Sequence, residues 1–170
     1  MSGIVYRDAG TDDAEALAAF CARTFCATFA HLYPPEDLEA FLSAKYGPSI
    51  QRAEIADPET RYRLALRDGT IVGYCMMGAL DIDVEEQGAL ELHRLYVDES
   101  VKGAGIAATL MDECLSWARA KAAKALYLSV WEENFRAQAF YKRYGFEHIG
   151  EHKFMVGNTA DRDLDRKSVV

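Results

Sequence analysis

LELHRLYVDESVKGAGIAATL, residues 90–110, passes from a strand-like run through a glycine-bearing loop into a helical pattern. Leu90, Leu92, Leu95, Tyr96 and Val97 supply the apolar, β-branched and aromatic character of a strand. An acidic turn follows, and Lys102-Gly103-Ala104-Gly105-Ile106-Ala107 opens directly into the helix. A loop of this kind leaves unpaired N–H groups converging at the positive end of a helix dipole, which suits phosphate even without basic side chains. No Gly-Lys-Ser/Thr follows, so this is not a P-loop. The dinucleotide pattern G-x-G-x-x-G also fails, because Ala108 stands where its third glycine belongs. On spacing alone the segment is either an anion cradle or a tight turn before a helix.

Downstream, Gly105 to Lys121 carries Ile106, Leu110, Cys114 and Trp117 at near-i, i+4 spacing and reads as an amphipathic helix with basic residues at its C-terminal end. Ala125 to Val130 is a continuous apolar strand, fit for burial on both faces. Asn134 to Tyr144 reads as a helix capped by Asn134 and stopped by Gly145, and Phe146 to Phe154 as a strand. One parallel crossover and a return strand follow from that order. The tail DLDRKSVV is too polar to predict as a last strand.

Upstream, Ile4 to Arg7 reads as a strand and Ala14 to Phe29 as a helix, with Thr11 or Asp12 as cap and Glu15 completing a capping box on Asp12. Pro34-Pro35-Glu36-Asp37 starts a second helix that Gly47-Pro48 stops, and Gln51 to Asp57 reads as a further helical turn or two. Arg61 to Arg67, the Asp68-Gly69 turn and Thr70 to Leu80 form a hairpin, which an acidic loop, Asp81 to Gln87, joins to the strand at Leu90 as an antiparallel meander. The expected class is α/β, a mixed, mostly antiparallel twisted sheet of about 6–7 strands with helices on both faces.

At 170 residues, with 50% apolar and 27% charged, the chain fits one soluble domain with its own core, residues 1–170. No apolar stretch reaches the ~18 residues of a membrane span, and MSGIVYRDAG lacks a signal pattern, so the expectation is a cytoplasmic protein without membrane association. A net charge of −8 is the wrong sign for gripping nucleic acid and is compatible with a cationic substrate. Cys21, Cys26, Cys75 and Cys114 form no C-x-x-C pair and no metal-ligand spacing with the histidines. They read as small core residues, with no metal.

Lys102 to Ala107 resembles motif A, Q/R-x-x-G-x-G/A, of the GNAT superfamily of acyl-CoA-dependent N-acetyltransferases, with Lys102 where Gln or Arg is usual. ALYLSVWEENFRAQAFYKRYGF resembles the other signature of that superfamily, N-x-x-A-x-x-x-Y-x-x-x-G-F, through Asn134, Ala137, Tyr141, Gly145 and Phe146. The wording of ELHRLYV, KGAGIA and VWEENFRAQAFYKRYGF, with TFCATFAHLYPPEDLEAFL before them, is similar to the PaiA-type spermidine/spermine N-acetyltransferases. The resemblance implies a central parallel pair of strands that splay apart, acetyl-CoA as co-substrate, a small-molecule amine as acceptor, and a monomer or homodimer. It implies that pantetheine bonds to the backbone of Leu95, Tyr96 and Val97. The pyrophosphate falls to the amides of Lys102, Gly103, Ala104, Gly105, Ile106 and Ala107, with Asn134 as a further cofactor contact.

An alkylamine with a pKa of about 10.4 is ~3.4 units too protonated at pH 7, roughly 4.6 kcal/mol at ~1.36 per unit, so direct attack on a thioester needs a proton acceptor or a desolvating pocket. The resemblance makes Glu91 the first candidate, acting through water, and strand alternation puts His93 on the same face unless a bulge intervenes. Their structural alternatives are a surface carboxylate paired with Arg94 and a packed imidazole. Tyr141 occupies the family's position for the acid that protonates the departing thiolate, with Tyr144 as competitor. Trp131, Phe135, Phe140 and Phe146 read as core or pocket wall. For the acceptor's cationic groups the candidates are Asp81, Asp83, Glu85 and Glu86 in the loop, or Glu36, Asp37 and Glu39 on the second helix. Polyamine is the leading acceptor; a protein N-terminus, an amino acid or a drug-like amine is the alternative, and a non-catalytic acyl-CoA sensor the reading of another class.

Overall fold

The computed structural model describes residues 3–169. The strands are β1 Ile4–Asp8, β2 Arg61–Arg67, β3 Thr70–Ala79, β4 Ala89–Val97, β5 Ala125–Trp131, β6 Glu147–Val156 and β7 Thr159–Val169. The helices are α1 Ala14–Phe29, α2 Pro35–Lys45, α3 Pro48–Ala56, α4 Ile106–Ala120 and α5 Phe135–Arg143. They form one seven-stranded sheet, order β1-β2-β3-β4-β5-β7-β6. All pairings are antiparallel except β4–β5.

The polar tail is β7. It inserts between β5 and β6, so β6 is not the direct neighbour of β5 that a simple return strand would be. Its residues alternate in a way that a search for apolar positions misses: Asp163 and Asp165 are buried on one face, while Leu164 packs with the α4 and α5 core on the other. Asp37 on α2 holds the turn before it, accepting from the Asn158 N–H at 2.9 Å and from Thr159 Oγ1 at 2.5 Å. Gly157 in that turn has φ +55°, and a Cβ there would meet Asp37 Oδ1 at 2.5 Å, so the turn requires glycine twice over.

Two apolar clusters lie on opposite faces. Leu90, Leu92, Leu95 and Val97 of β4 face α4 and its Ile106, Leu110, Met111 and Cys114, while Leu17, Phe20 and Cys21 of α1 pack on Leu64, Tyr74 and Met76. The predicted capping box on Asp12 does not form. A single turn of tighter helix, Thr11–Asp13, precedes α1 instead, and Asp13 reaches back to accept from the Gly10 N–H at 2.8 Å. The core reading holds for three of the four cysteines: burial raises Cys21 to about 11 and Cys114 to about 12, Cys75 is fully enclosed, and Cys26 is only half-buried.

Candidate active site

The parallel pair β4–β5 is bonded only at Ala89, Leu90 and Glu91 against Ala125, Leu126 and Tyr127. Beyond that fork the strands separate, and a cleft of about 1590 Å³ runs between them. Asp98 N–H donates to the Val72 carbonyl at 2.8 Å, and alternation therefore turns Tyr96 toward β3 as well. Leu95 and Val97 are left with backbone groups facing the opening. Of the three predicted backbone contacts these two have free groups, and Tyr96 contributes its ring, stacked on Tyr74 at 5.9 Å.

The glycine loop closes one end of the cleft. The Lys102 and Ala104 amides are already used, donating to the carbonyls of Glu99 at 3.3 Å and Val101 at 3.2 Å. The first bond into α4 is Thr109 N–H to the Gly105 carbonyl at 3.0 Å. The amides of Gly103, Gly105, Ile106, Ala107 and Ala108 therefore have no backbone partner among the described residues, and all five residues line the cleft. Gly105 caps the helix in the left-handed region at φ 81°, with nothing within 4 Å of where a Cβ would stand. Lys102 extends to Glu99 Oε2 at 2.5 Å. This loop fits the pyrophosphate of a nucleotide cofactor through its free amides and open space, and the unpaired edge of β4 fits an extended amide-bearing arm.

Tyr141 on α5 lines the cleft between the Phe140 and Phe146 rings, at 5.5 and 6.0 Å. Burial pushes its phenol well above the ordinary tyrosine range, so it holds its proton at neutral pH. The competitor Tyr144 is turned to α4, donating to the Ala108 carbonyl at 3.4 Å, and does not line the cleft. Asn134 caps α5, its Oδ1 accepting from the Ala137 N–H at 3.2 Å, and borders the cleft as well. Phe146 is core and Phe135 is exposed.

A bulge does occur in β4: Met76 faces Arg94 and Met77 faces Leu92, which leaves His93 without a partner. It does not separate Glu91 from His93. It brings Arg94 to their face as well, where the guanidinium lies 5.0 Å over the Tyr46 ring and donates to Tyr62 Oη at 3.1 Å. Glu91 is nearly enclosed, and its partner is His93 rather than Arg94. Oε1 accepts from the Asp81 and Ile82 amides at 2.9 and 3.0 Å, and Oε2 lies 2.9 Å from His93 Nδ1. Burial raises the carboxyl, but the His93 ring and the two amides outweigh it and hold the pKa below the usual value. His93 Nε2 lies 3.0 Å from the Ala79 carbonyl, which can only accept. Nε2 therefore carries a hydrogen, and the Nδ1 contact is bonded only with a second proton between ring and carboxylate.

The cleft continues onto the α1–α2 face, walled by Phe29, Tyr33, Phe41, Trp131 and Phe154. Asp81 and Asp83 border it. The other loop and helix candidates are elsewhere: Glu86 is taken by Lys167 at 2.8 Å and Tyr127 at 2.5 Å, Asp37 by the β6–β7 turn, and Glu36, Glu39 and Glu85 are exposed outside it. Asp161, Asp163 and Asp165 of β7, not anticipated from the sequence, line the cleft instead. Among the described residues, no group of three His, Cys, Asp or Glu side chains could hold a metal, and no helix is long and apolar enough to cross a membrane.

Residues 22–146 match the model of the acetyltransferase (GNAT) family. An uncharacterised N-acetyltransferase of Mycobacterium tuberculosis is 35% identical over 152 residues, 89% of this chain and 94% of that protein. A spermine/spermidine N(1)-acetyltransferase of Bacillus subtilis is 31% identical over 90 residues, 51% of this chain and 59% of that protein. The crystal structure of a PaiA N-acetyltransferase from Thermoplasma acidophilum in complex with coenzyme A has the same fold, with a TM-score of 0.78 and 22% identity over 98% of this chain and 99% of that one. The chain belongs to the GNAT family of N-acetyltransferases, whose acetyl donor is acetyl-CoA.

Proposed function

We propose that this member of the GNAT acetyltransferase family acetylates a primary amine of a small cationic molecule, with polyamines such as spermidine as the acceptor class. The observation that carries this reading is the continuity of one cleft from the free amides of α4, along the open edge of β4, to an aromatic and acidic chamber on the opposite face. Likeness to a spermine/spermidine acetyltransferase over half the chain supports the same acceptor.

Acetyl-CoA, when bound, supplies the thioester carbonyl that the amine attacks. The Leu95 and Val97 backbone holds the pantetheine arm, and the Gly103, Gly105, Ile106 and Ala107 amides hold the pyrophosphate. Tyr141 keeps its proton until the thiolate departs and then gives it to sulfur. Removal of the amine's proton falls to the Glu91–His93 pair, which takes it between Oε2 and Nδ1, 2.9 Å apart. Arg94 and Glu54, 3.9 Å apart, fix the chamber wall behind that pair.

The test is an acceptor screen with acetyl-CoA, read by release of free CoA thiol, over spermidine, spermine, monoamines of matched length, amino acids and a short peptide with a free N-terminus. Polyamines should give the highest kcat/KM. Preference for the peptide would replace polyamine by protein N-terminus. CoA binding without turnover on any amine would leave the sensor reading.

A further inference from the structure

Asp163 is a buried carboxylate, 8% exposed, that accepts no hydrogen bond among the described residues and borders the cleft. Its neighbours do have partners. Asp161 accepts from Tyr33 Oη; Asp165 Oδ1 lies 2.7 Å from His152 Nδ1 and accepts from Ser129 Oγ at 3.3 Å. In the sheet Asp163 stands directly between Trp131 of β5 and His152 of β6, so its side chain shares their face. The Trp131 ring in turn meets Phe29 edge-on at 5.9 Å. Burial raises the Asp163 carboxyl to about 6, the nearby His152 counteracts this, and Asp161 and Asp165 add to it. A partly desolvated acid that opens only onto the cleft favours a cationic partner, and an ammonium ion beside aromatic rings is the group that this arrangement suits.

The seat is displaced from the fork. From Tyr127, the last residue paired across the fork, to Trp131 opposite Asp163 is four residues, ~13 Å along the strand at ~3.3 Å per residue. That is too far for one nitrogen to sit at both the fork and Asp163.

We propose that the Asp163 carboxylate, with Asp161 on the same face of β7 and the Trp131 ring beside it, seats a second, non-reacting ammonium group of the acceptor. The site thereby selects amines with two separated positive charges over monoamines. This rests on the reading of the cleft as an amine acetyltransferase site, and its test has one arm that does not need turnover.

The first arm compares kcat/KM for spermidine with that for a monoamine of matched length in wild type, Asp163→Asn and, as a control outside the cleft, Glu85→Gln. The spermidine-to-monoamine ratio should fall about tenfold or more in Asp163→Asn, carried by KM for spermidine, and hold in Glu85→Gln. Equal loss on both amines would place Asp163 at the reacting nitrogen and overturn the seat. An equal fall in Glu85→Gln would reduce the effect to overall charge and overturn it too. The second arm is thermal stabilisation by spermidine without acetyl-CoA, expected in wild type and absent in Asp163→Asn. If no amine is turned over but this difference stands, the acetyltransfer reading fails and the seat survives. If spermidine stabilises both proteins equally or neither, the seat is wrong.

Discussion

His93 Nδ1 lies 2.9 Å from Glu91 Oε2 at the bulge of β4, with the far nitrogen of the ring held at the Ala79 carbonyl. Both ring nitrogens are thus engaged by acceptors, and both carboxylate oxygens of Glu91 by donors. The pair braces the start of the acidic loop as well as facing the cleft. Its two roles respond differently to substitution. Glu91→Ala should lower unfolding free energy by roughly 1–3 kcal/mol, because it strands two amides and a ring nitrogen. Glu91→Gln retains an acceptor for the amides; it should cost less stability in urea denaturation while kcat falls about 10- to 100-fold. Full activity in Glu91→Gln would leave the pair as a brace alone.

The glycine loop gives a binding prediction. CoA should raise the melting temperature of wild type and fail to protect Gly105→Glu, which sets a carboxylate against the pyrophosphate. Gly105→Ala serves as control, since at φ 81° any side chain costs roughly 1–2 kcal/mol while open space around the Cβ leaves the amides accessible. Equal CoA protection of Gly105→Glu and wild type would remove the loop from the cofactor site.

Tyr141→Phe removes one oxygen from a half-buried ring that lines the cleft. Turnover should drop about 10²-fold or more, with CoA affinity by calorimetry changed less than about twofold. Tyr144→Phe, whose hydroxyl donates to the Ala108 carbonyl and lies off the cleft, should lose far less. Reversal of that order would move the acid to Tyr144.

Asp163 makes stability depend on pH. Its carboxyl is raised from 3.8 to about 6 in the fold, so the native state holds the proton more tightly than the unfolded chain. The contribution favours folding below about 4, is lost as pH rises toward 6, and the ionised group burdens the fold above that. Two units at ~1.36 kcal/mol each set the scale, so Asp163→Asn should be more stable than wild type by roughly 1–3 kcal/mol at pH 8 and show little gain at pH 3.5. Equal denaturation midpoints at pH 8 would mean that the carboxylate carries no such burden.

Much of this arrangement was legible in the residues, because the glycine loop, β5 and the cap of α5 obey local rules. Gly103 and Gly105 announce a backbone conformation, Asn134 a cap, and Ala125 to Val130 a doubly buried strand. The far wall of the cleft, proposed for the acceptor, obeys no local rule. Asp161, Asp163 and Asp165 look like a solvated tail until β5 and β6 are placed on either side of them, and Arg94 turns to the cleft face only because of a bulge set by the pairing with β3. Charged loop residues misled for the converse reason: Glu86 has its partner in Lys167, 81 positions away, and Asp37 its own in a turn 121 positions on.

The insertion of β7 between β5 and β6 also fixes an order of assembly. As the chain leaves the ribosome, β6 emerges before its partner in the sheet, and β5 before the neighbour on its outer side. The meander and α4 can condense first, since chains generally acquire structure from the N-terminal side. β7 then completes two ladders at once and brings the three aspartates into place in the same event. A nascent chain therefore pairs β4 with β3 and packs it on α4 before β7 supplies the wall that carries Asp161, Asp163 and Asp165.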